Sequence, residues 1–149
     1  YGVVHFKNMA VGIVPLDDEL NTWIVGQYRY PIQTYSWEIP EGGADRSKPP
    51  QESAERELRE EAGIVATKWT PILHMHLSNS ASDEEAFLYV AQGLTFFEPE
   101  PDHNEELVSR KLPFEELYQM VMRQEVTDSL TVAAVLKVKL MLLEGTLAH

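Results

Sequence analysis

No cysteine occurs among the 149 residues, which excludes disulfides, thiolate metal sites and thiol nucleophiles. Basic side chains are scarce: 12 Lys and Arg stand against 24 Asp and Glu, for a formal net charge of -12. A field of that sign repels nucleic-acid phosphates and anionic membranes, and no compact Lys/Arg cluster offsets it. Neither nucleic acid nor membrane is therefore an expected partner. An acidic protein still accepts a phosphorylated ligand where divalent cations cover its local carboxylates. Long apolar runs are missing as well, since Val132 to Leu143 is interrupted by Lys137 and Lys139 and is too short for a bilayer. The opening residues Tyr1 to His5 lack the charged, apolar, small-residue order of a signal peptide. Together with the missing cysteines, this sets a cytoplasmic location as the expectation. The chain starts on Tyr rather than Met, so residues are expected to precede it. No repeat, low-complexity stretch or linker divides it, and residues 1–149 are expected to form one domain.

Met9 to Leu16 and Thr22 to Tyr28 are rich in Val, Ile and Trp and flank the polar Asp17-Asp18-Glu19, a pattern that predicts a β-hairpin. Trp37 to Ile39 reads as a short extended piece ending at Pro40, and Glu41 to Asp45 as a flexible glycine loop. From Pro50 to Ala62 the spacing of Ala54, Leu58 and Ala62 predicts a helix stopped by Gly63. Strands follow near Thr67 to His76, Glu85 to Gln92 and Leu107 to Lys111, then a helix over Phe114 to Gln124. A last helix is capped near Thr127-Asp128-Ser129 and runs to Glu144-Gly145. This alternation predicts an α/β fold with a mixed sheet and helices on both sides.

The chemistry concentrates in Gly42 to Ile64. Glu57, Glu60 and Glu61 fall at i, i+3 and i+4, so a helix sets all three carboxylates on one side, where they repel one another. Mg²⁺ resolves that repulsion, because it favours hard carboxylate oxygens and keeps positions for water and substrate phosphates. Arg56 reaches Glu60 at i, i+4 and fixes carboxylate orientation. Gly42 and Gly43 allow the backbone to come close enough for a main-chain carbonyl to join the coordination. A solvated acidic face with Arg–Glu pairs is the competing reading of the charges. The glycine corner and the arginine position weigh against it.

These residues resemble the box of the Nudix hydrolase family: Gly, five residues, Glu, seven residues, then Arg-Glu-aliphatic-any-Glu-Glu-any-Gly-aliphatic. Gly42, Arg56, Glu57, Leu58, Glu60, Glu61, Gly63 and Ile64 match, and Lys48 stands in place of the first glutamate. That glutamate is thought to support the loop–helix corner, so Lys48 puts the corner's local bonding in question. The resemblance implies a Nudix-type α/β/α sandwich. It also implies Glu57 and Glu61 as principal Mg²⁺ ligands (Mn²⁺ as a substitute), with Glu60 additional. Arg56 would orient them, and the backbone carbonyl of Glu41 or Gly42 would face a metal.

Gly26 to Pro31 and Ser36 to Pro40 are similar to the ADP-ribose pyrophosphatase branch of that family. By that resemblance Arg29 contacts a phosphate, Tyr28 or Trp37 stacks on a base, and Glu38 accepts bonds from ribose or base; core packing is the alternative for the two aromatics. Glu84 aligns with a glutamate of the branch, whereas Asn79-Ser80 replaces its usual Pro-Gly, which broadens the expectation from ADP-ribose to nucleoside diphosphate sugars in general. Related enzymes carry a catalytic glutamate in a mobile loop, here matched by Glu105 or Glu106. Homodimers are common in the branch, so one is expected here. His74 and His76 share a strand face, but no third nitrogen or sulfur ligand lies at suggestive spacing, and they read as half-buried strand residues. Hydrolysis of a nucleoside diphosphate sugar is thus the leading expectation. A nucleoside triphosphate pyrophosphohydrolase and a non-catalytic ADP-ribose sensor are the alternatives.

Overall fold

Strand β1 (Asn8–Pro15) is buried on both faces along most of its length because it runs through the centre of the protein. In the computed structural model, which describes residues 2–98 and 107–147, Val11 and Ile13 enter one core with Ala54, Leu58 and Ile64. Val14, with Leu16 just beyond the strand, enters a second core with Leu88, Leu130, Ala134 and Val138. A continuous apolar run is what a strand covered on both sides requires.

The remaining strands are β2 (Asn21–Arg29), β3 (Thr34–Glu38), β4 (Glu41–Asp45), β5 (Ile64–His76), β6 (Glu85–Phe96) and β7 (Val108–Pro113); the helices are α1 (Pro50–Ala62), α2 (Phe114–Met122) and α3 (Ser129–Glu144). Four strands form a mixed sheet in the order β4-β1-β6-β5, with β1 and β6 parallel, while β3-β2-β7 form an antiparallel sheet of three. Helix α1 covers one face of the larger sheet through Ala54 and Leu58, and α3 covers the other through Leu130, Ala134, Val135 and Val138. The α/β sandwich with helices on both sides is therefore what the sequence predicts. No helix among the described residues is long and apolar enough to cross a membrane.

Two expectations are corrected. β1 and β2 do not form a hairpin: both edges of β1 are taken, by β4 and β6, so β2 pairs with β3 and β7 instead. The segment between them turns at Leu20 (φ 58°), with Asp17 accepting from the amides of Glu19 (3.0 Å) and Asn21 (2.7 Å). Glu41 to Asp45 is not a loop but strand β4, in which Gly42 faces Val11 and Gly43 faces Ala10 across an antiparallel ladder.

Helix α1 begins with Pro50 at a position where a missing N–H costs nothing, and it ends at Gly63 (φ 67°), whose amide bonds the carbonyl of Arg59 (2.9 Å). The turn from β4 into α1 is held by Asp45, whose Oδ1 accepts from the amide (2.8 Å) and hydroxyl (2.7 Å) of Ser47. With Lys48 at the position where the family pattern has glutamate, the amide of Lys48 bonds the Asp45 carbonyl (3.1 Å). Asp45 and Ser47 thus provide local bonding at the corner.

Candidate active site

An open cleft of about 710 Å³ lies where β1, β2, β4 and the first residues of α3 converge on the inner side of α1. Glu57 and Glu61 line it from α1, Glu41, Gly42 and Gly43 from β4, Gln27 and Arg29 from β2, Glu84 from the turn before β6, and Asp128 from the start of α3. Leu58, on the opposite side of α1, is fully buried. Its burial stabilises the fold by roughly 2 kcal/mol and fixes the rotation of the carboxylates.

The Glu57 carboxylate packs against the bare backbone of Gly42. A Cβ on Gly42 would stand 2.3 Å from the carboxyl carbon, so only glycine leaves room for it. Glu61 is held from the other side: its Oε1 accepts the amide of Glu41 at 2.9 Å. Arg56 braces the cluster through Nη1, which is 3.2 Å from Glu57 and 3.3 Å from Glu60, and through Nη2, which donates to the Gly43 carbonyl at 3.2 Å. The i, i+4 pair foreseen for Arg56 is one arm of this three-way contact.

Burial pushes the Glu61 carboxyl up to about 7, and the neighbouring charges of Glu57 and Glu38 add to it against the opposing amide of Glu41. Carboxylates crowded into a cleft without a matching cation beside each are unstable as anions. An all-oxygen donor set of this kind fits a hard divalent cation such as Mg²⁺ or Mn²⁺.

A second acidic group, not foreseen from the sequence, completes the floor. Carboxyl oxygens of Glu38, Glu41 and Asp128 lie within 4.8 Å of one another. Burial, then the adjacent Asp128 and Glu38, drive the Glu41 carboxyl well above its usual range, and its Oε2 is shut off from solvent without a donor. Burial also raises Glu38, but hydrogen bonds from Arg29 and Ser36 outweigh it and hold Glu38 below the ordinary value. Arg29 grips Glu38 through Nε (3.0 Å) and Nη2 (2.6 Å). Asp128 caps α3 by accepting from the Thr131 amide (3.1 Å) and hydroxyl (2.8 Å). The same hydroxyl oxygen accepts from the Ile39 amide (3.0 Å), tying the helix start to the β3–β4 connection. The N-cap signal at Asp128 was visible; its place beside Glu41 depends on that tertiary contact.

The cleft brings together Glu41, Gly42, Glu57, Glu61, Arg29 and Glu84 among the residues selected from sequence. Glu38 lines an adjoining hollow of about 330 Å³ that shares Arg29 and Asp128 with the cleft. Glu60 sits on α1 beside Arg56, outside the cleft lining. Tyr28 and Trp37 are not brought to the cleft. Alternation along β2 turns Tyr28 away from Gln27 and Arg29 towards Tyr30 (ring centroids 4.9 Å), and Trp37 packs between Tyr35 (5.4 Å) and the Arg110 guanidinium (5.5 Å). Glu105 and Glu106 lie outside the described residues.

The NUDIX domain family profile matches residues 7–131. The chain is 37% identical over 139 residues to an ADP-ribose pyrophosphatase of Mycobacterium tuberculosis, covering 91% of this chain and 66% of that protein. It is 31% identical over 128 residues to an ADP-ribose pyrophosphatase of Bacillus subtilis, covering 85% of this chain and 69% of that protein. A solved structure described as an ADP compounds hydrolase superposes with a TM-score of 0.82 at 25% identity, over 95% of this chain and 75% of its own. The chain thus spans about two thirds of the length of the curated relatives it matches.

Proposed function

The chain belongs to the Nudix family, and on that premise we propose that it hydrolyses the diphosphate bond of a nucleoside diphosphate sugar. ADP-ribose or a close analogue is the substrate, and a nucleoside monophosphate and a sugar phosphate are the products. The observation that carries this reading is the pairing of Glu57 and Glu61 against the Gly42 corner, at the wall of a cleft long enough to continue past Arg29 into a second hollow. Two relatives similar in sequence over most of this chain are ADP-ribose pyrophosphatases by name.

Glu57 and Glu61, with the main-chain carbonyl of Glu41 or Gly42, would hold Mg²⁺, and Glu60 would assist from the rim. When bound, the cation neutralises charge developing on the phosphate oxygens and makes water a better nucleophile. Arg56 keeps the carboxylates in place by bonding two of them and the Gly43 carbonyl at once. Arg29, anchored by Glu38, offers its remaining nitrogen to a phosphate oxygen. Glu84 lines the same cleft and would accept hydrogen bonds from a sugar hydroxyl. The general base is assigned to Glu105 or Glu106 from the family resemblance, and a homodimer on the same ground.

Incubation with ADP-ribose, GDP-mannose, UDP-glucose and deoxynucleoside triphosphates in Mg²⁺, followed by chromatography, tests the assignment. Nucleoside monophosphate and sugar phosphate from the first three classes support it. Pyrophosphate released from triphosphates as the dominant product contradicts it.

A further inference from the structure

On the face of the larger sheet that α1 covers, but beyond the reach of that helix, the fold assembles a group for which the cleft has no use. His74 and His76 lie two apart on β5 and are exposed. The register between β5 and β6 shifts by one at Pro71/Leu73, which sets His74 opposite Phe87 and His76 opposite Glu85. Without that shift the imidazoles would turn to the α3 face and Leu73 and Met75 to this one. Exposure corrects the expectation of half-buried strand histidines. The third ligand absent from the local sequence is a carboxylate supplied by the neighbouring strand.

We propose that His74, His76 and Glu85 bind a borderline transition-metal cation, Zn²⁺ in preference to Mg²⁺, at a site separate from the cleft. One ligand atom from each lies within 4.8 Å of the other two. His74 Nε2 and Glu85 Oε2 are already 2.8 Å apart. Ligands of a tetrahedral zinc stand roughly 3.3 Å from one another, so the pair has to open by only about half an ångström. Two imidazoles and one carboxylate leave the fourth position to water. Nitrogen ligands select Zn²⁺ or Co²⁺ over Mg²⁺, whereas the all-carboxylate cleft has the opposite preference.

The ligands are also held in place. The His74 ring stacks on Phe87 (centroids 4.5 Å, 12° between planes), and the His76 ring lies 5.2 Å from that of His74. Arg46, just after β4, donates to the other oxygen of Glu85 at 2.9 Å. Outer contacts that fix ligand orientation in this way are characteristic of built metal sites. Binding requires the proton shared by His74 Nε2 and Glu85 Oε2 to leave that nitrogen, to Nδ1 of a neutral ring or to solvent from a charged one, so that Nε2 offers its lone pair to the metal.

Calorimetric titration with Zn²⁺ in saturating Mg²⁺ tests the site, using wild type, His76→Ala, Glu85→Gln and Glu61→Gln, with Co²⁺ as the paramagnetic NMR probe. Wild type and Glu61→Gln take up one Zn²⁺ per chain with the same Kd, while His76→Ala and Glu85→Gln weaken it about tenfold or more. Co²⁺ shifts imidazole ring protons in wild type and not in His76→Ala, whose Mg²⁺-supported hydrolysis stays within about twofold of wild type because His76 lies outside the cleft. Equal Zn²⁺ affinity in wild type and in both His76→Ala and Glu85→Gln overturns the proposal, as does Zn²⁺ uptake lost in Glu61→Gln alone. His76 is exposed and Glu85 half-buried, and far-UV circular dichroism establishes that each variant is folded.

Discussion

Glu57 and Gly42 compete for the same volume, and the carboxylate occupies it because residue 42 has no side chain. Gly42→Ala forces Glu57 out by more than an ångström. Displacement of a catalytic group by that distance lowers turnover by roughly 10²-fold, with a much smaller change in melting temperature. Steady-state kinetics beside thermal unfolding checks the split. Spacing together with the resemblance to the family box singles out Arg56, Glu57, Glu60 and Glu61 in the sequence, because a helix converts i, i+3 and i+4 into one face. It does not make Asp128 legible as a cleft residue, since 87 positions separate it from Glu41 and they meet through tertiary contacts, the packing of α3 on the sheet and the Thr131–Ile39 bond. Tyr28 shows the reverse: an aromatic beside Arg29 in sequence points to the other face of β2.

Helix α1 has the bounds expected of it, Pro50–Ala62, because its stop is a local matter. Gly63 adopts a left-handed conformation that other residues enter at a cost, so Gly63→Ala destabilises the protein by about 1 kcal/mol, measurable by urea denaturation. At the start of α3 the Asp128 cap separates two roles. Asp128→Ala loses about 1 kcal/mol of stability, whereas Asp128→Asn retains most of it because the amide oxygen still accepts from Thr131. Strand pairing was harder to read than the helices. The apolar run of β1 fits a hairpin strand and a two-sided central strand equally well, and the choice is made by β4 and β6, whose edges arrive from elsewhere in the chain. Gly42 and Gly43 disguise β4 as a loop, since ladder pairing with Val11 and Ala10 overrides their poor strand propensity.

The net charge of -12 is unevenly placed, with several acidic groups gathered around one cleft. Glu61, raised from 4.5 to about 7, and Glu41, raised in the same direction, keep protons in the folded protein that the unfolded chain has released. The native state therefore binds more protons between pH 4.5 and about 7, and the stability of the metal-free protein falls as pH rises through that window. Carboxyls held below their usual values, such as Glu38, act in the opposite sense and only on acidification. Mg²⁺ held as proposed would favour the ionised form and flatten the decline. Urea titrations across the window, with chelator and with Mg²⁺, display the difference in slope. The central claim, that Glu57 and Glu61 hold the divalent cation that drives diphosphate hydrolysis, is met most directly by phosphorus NMR of ADP-ribose turnover in wild type and Glu61→Gln at saturating Mg²⁺. Wild type yields AMP and ribose phosphate, and Glu61→Gln is slower by roughly 10²-fold or more while remaining folded. Turnover by Glu61→Gln at the wild-type rate, or hydrolysis that persists in excess chelator, contradicts the account.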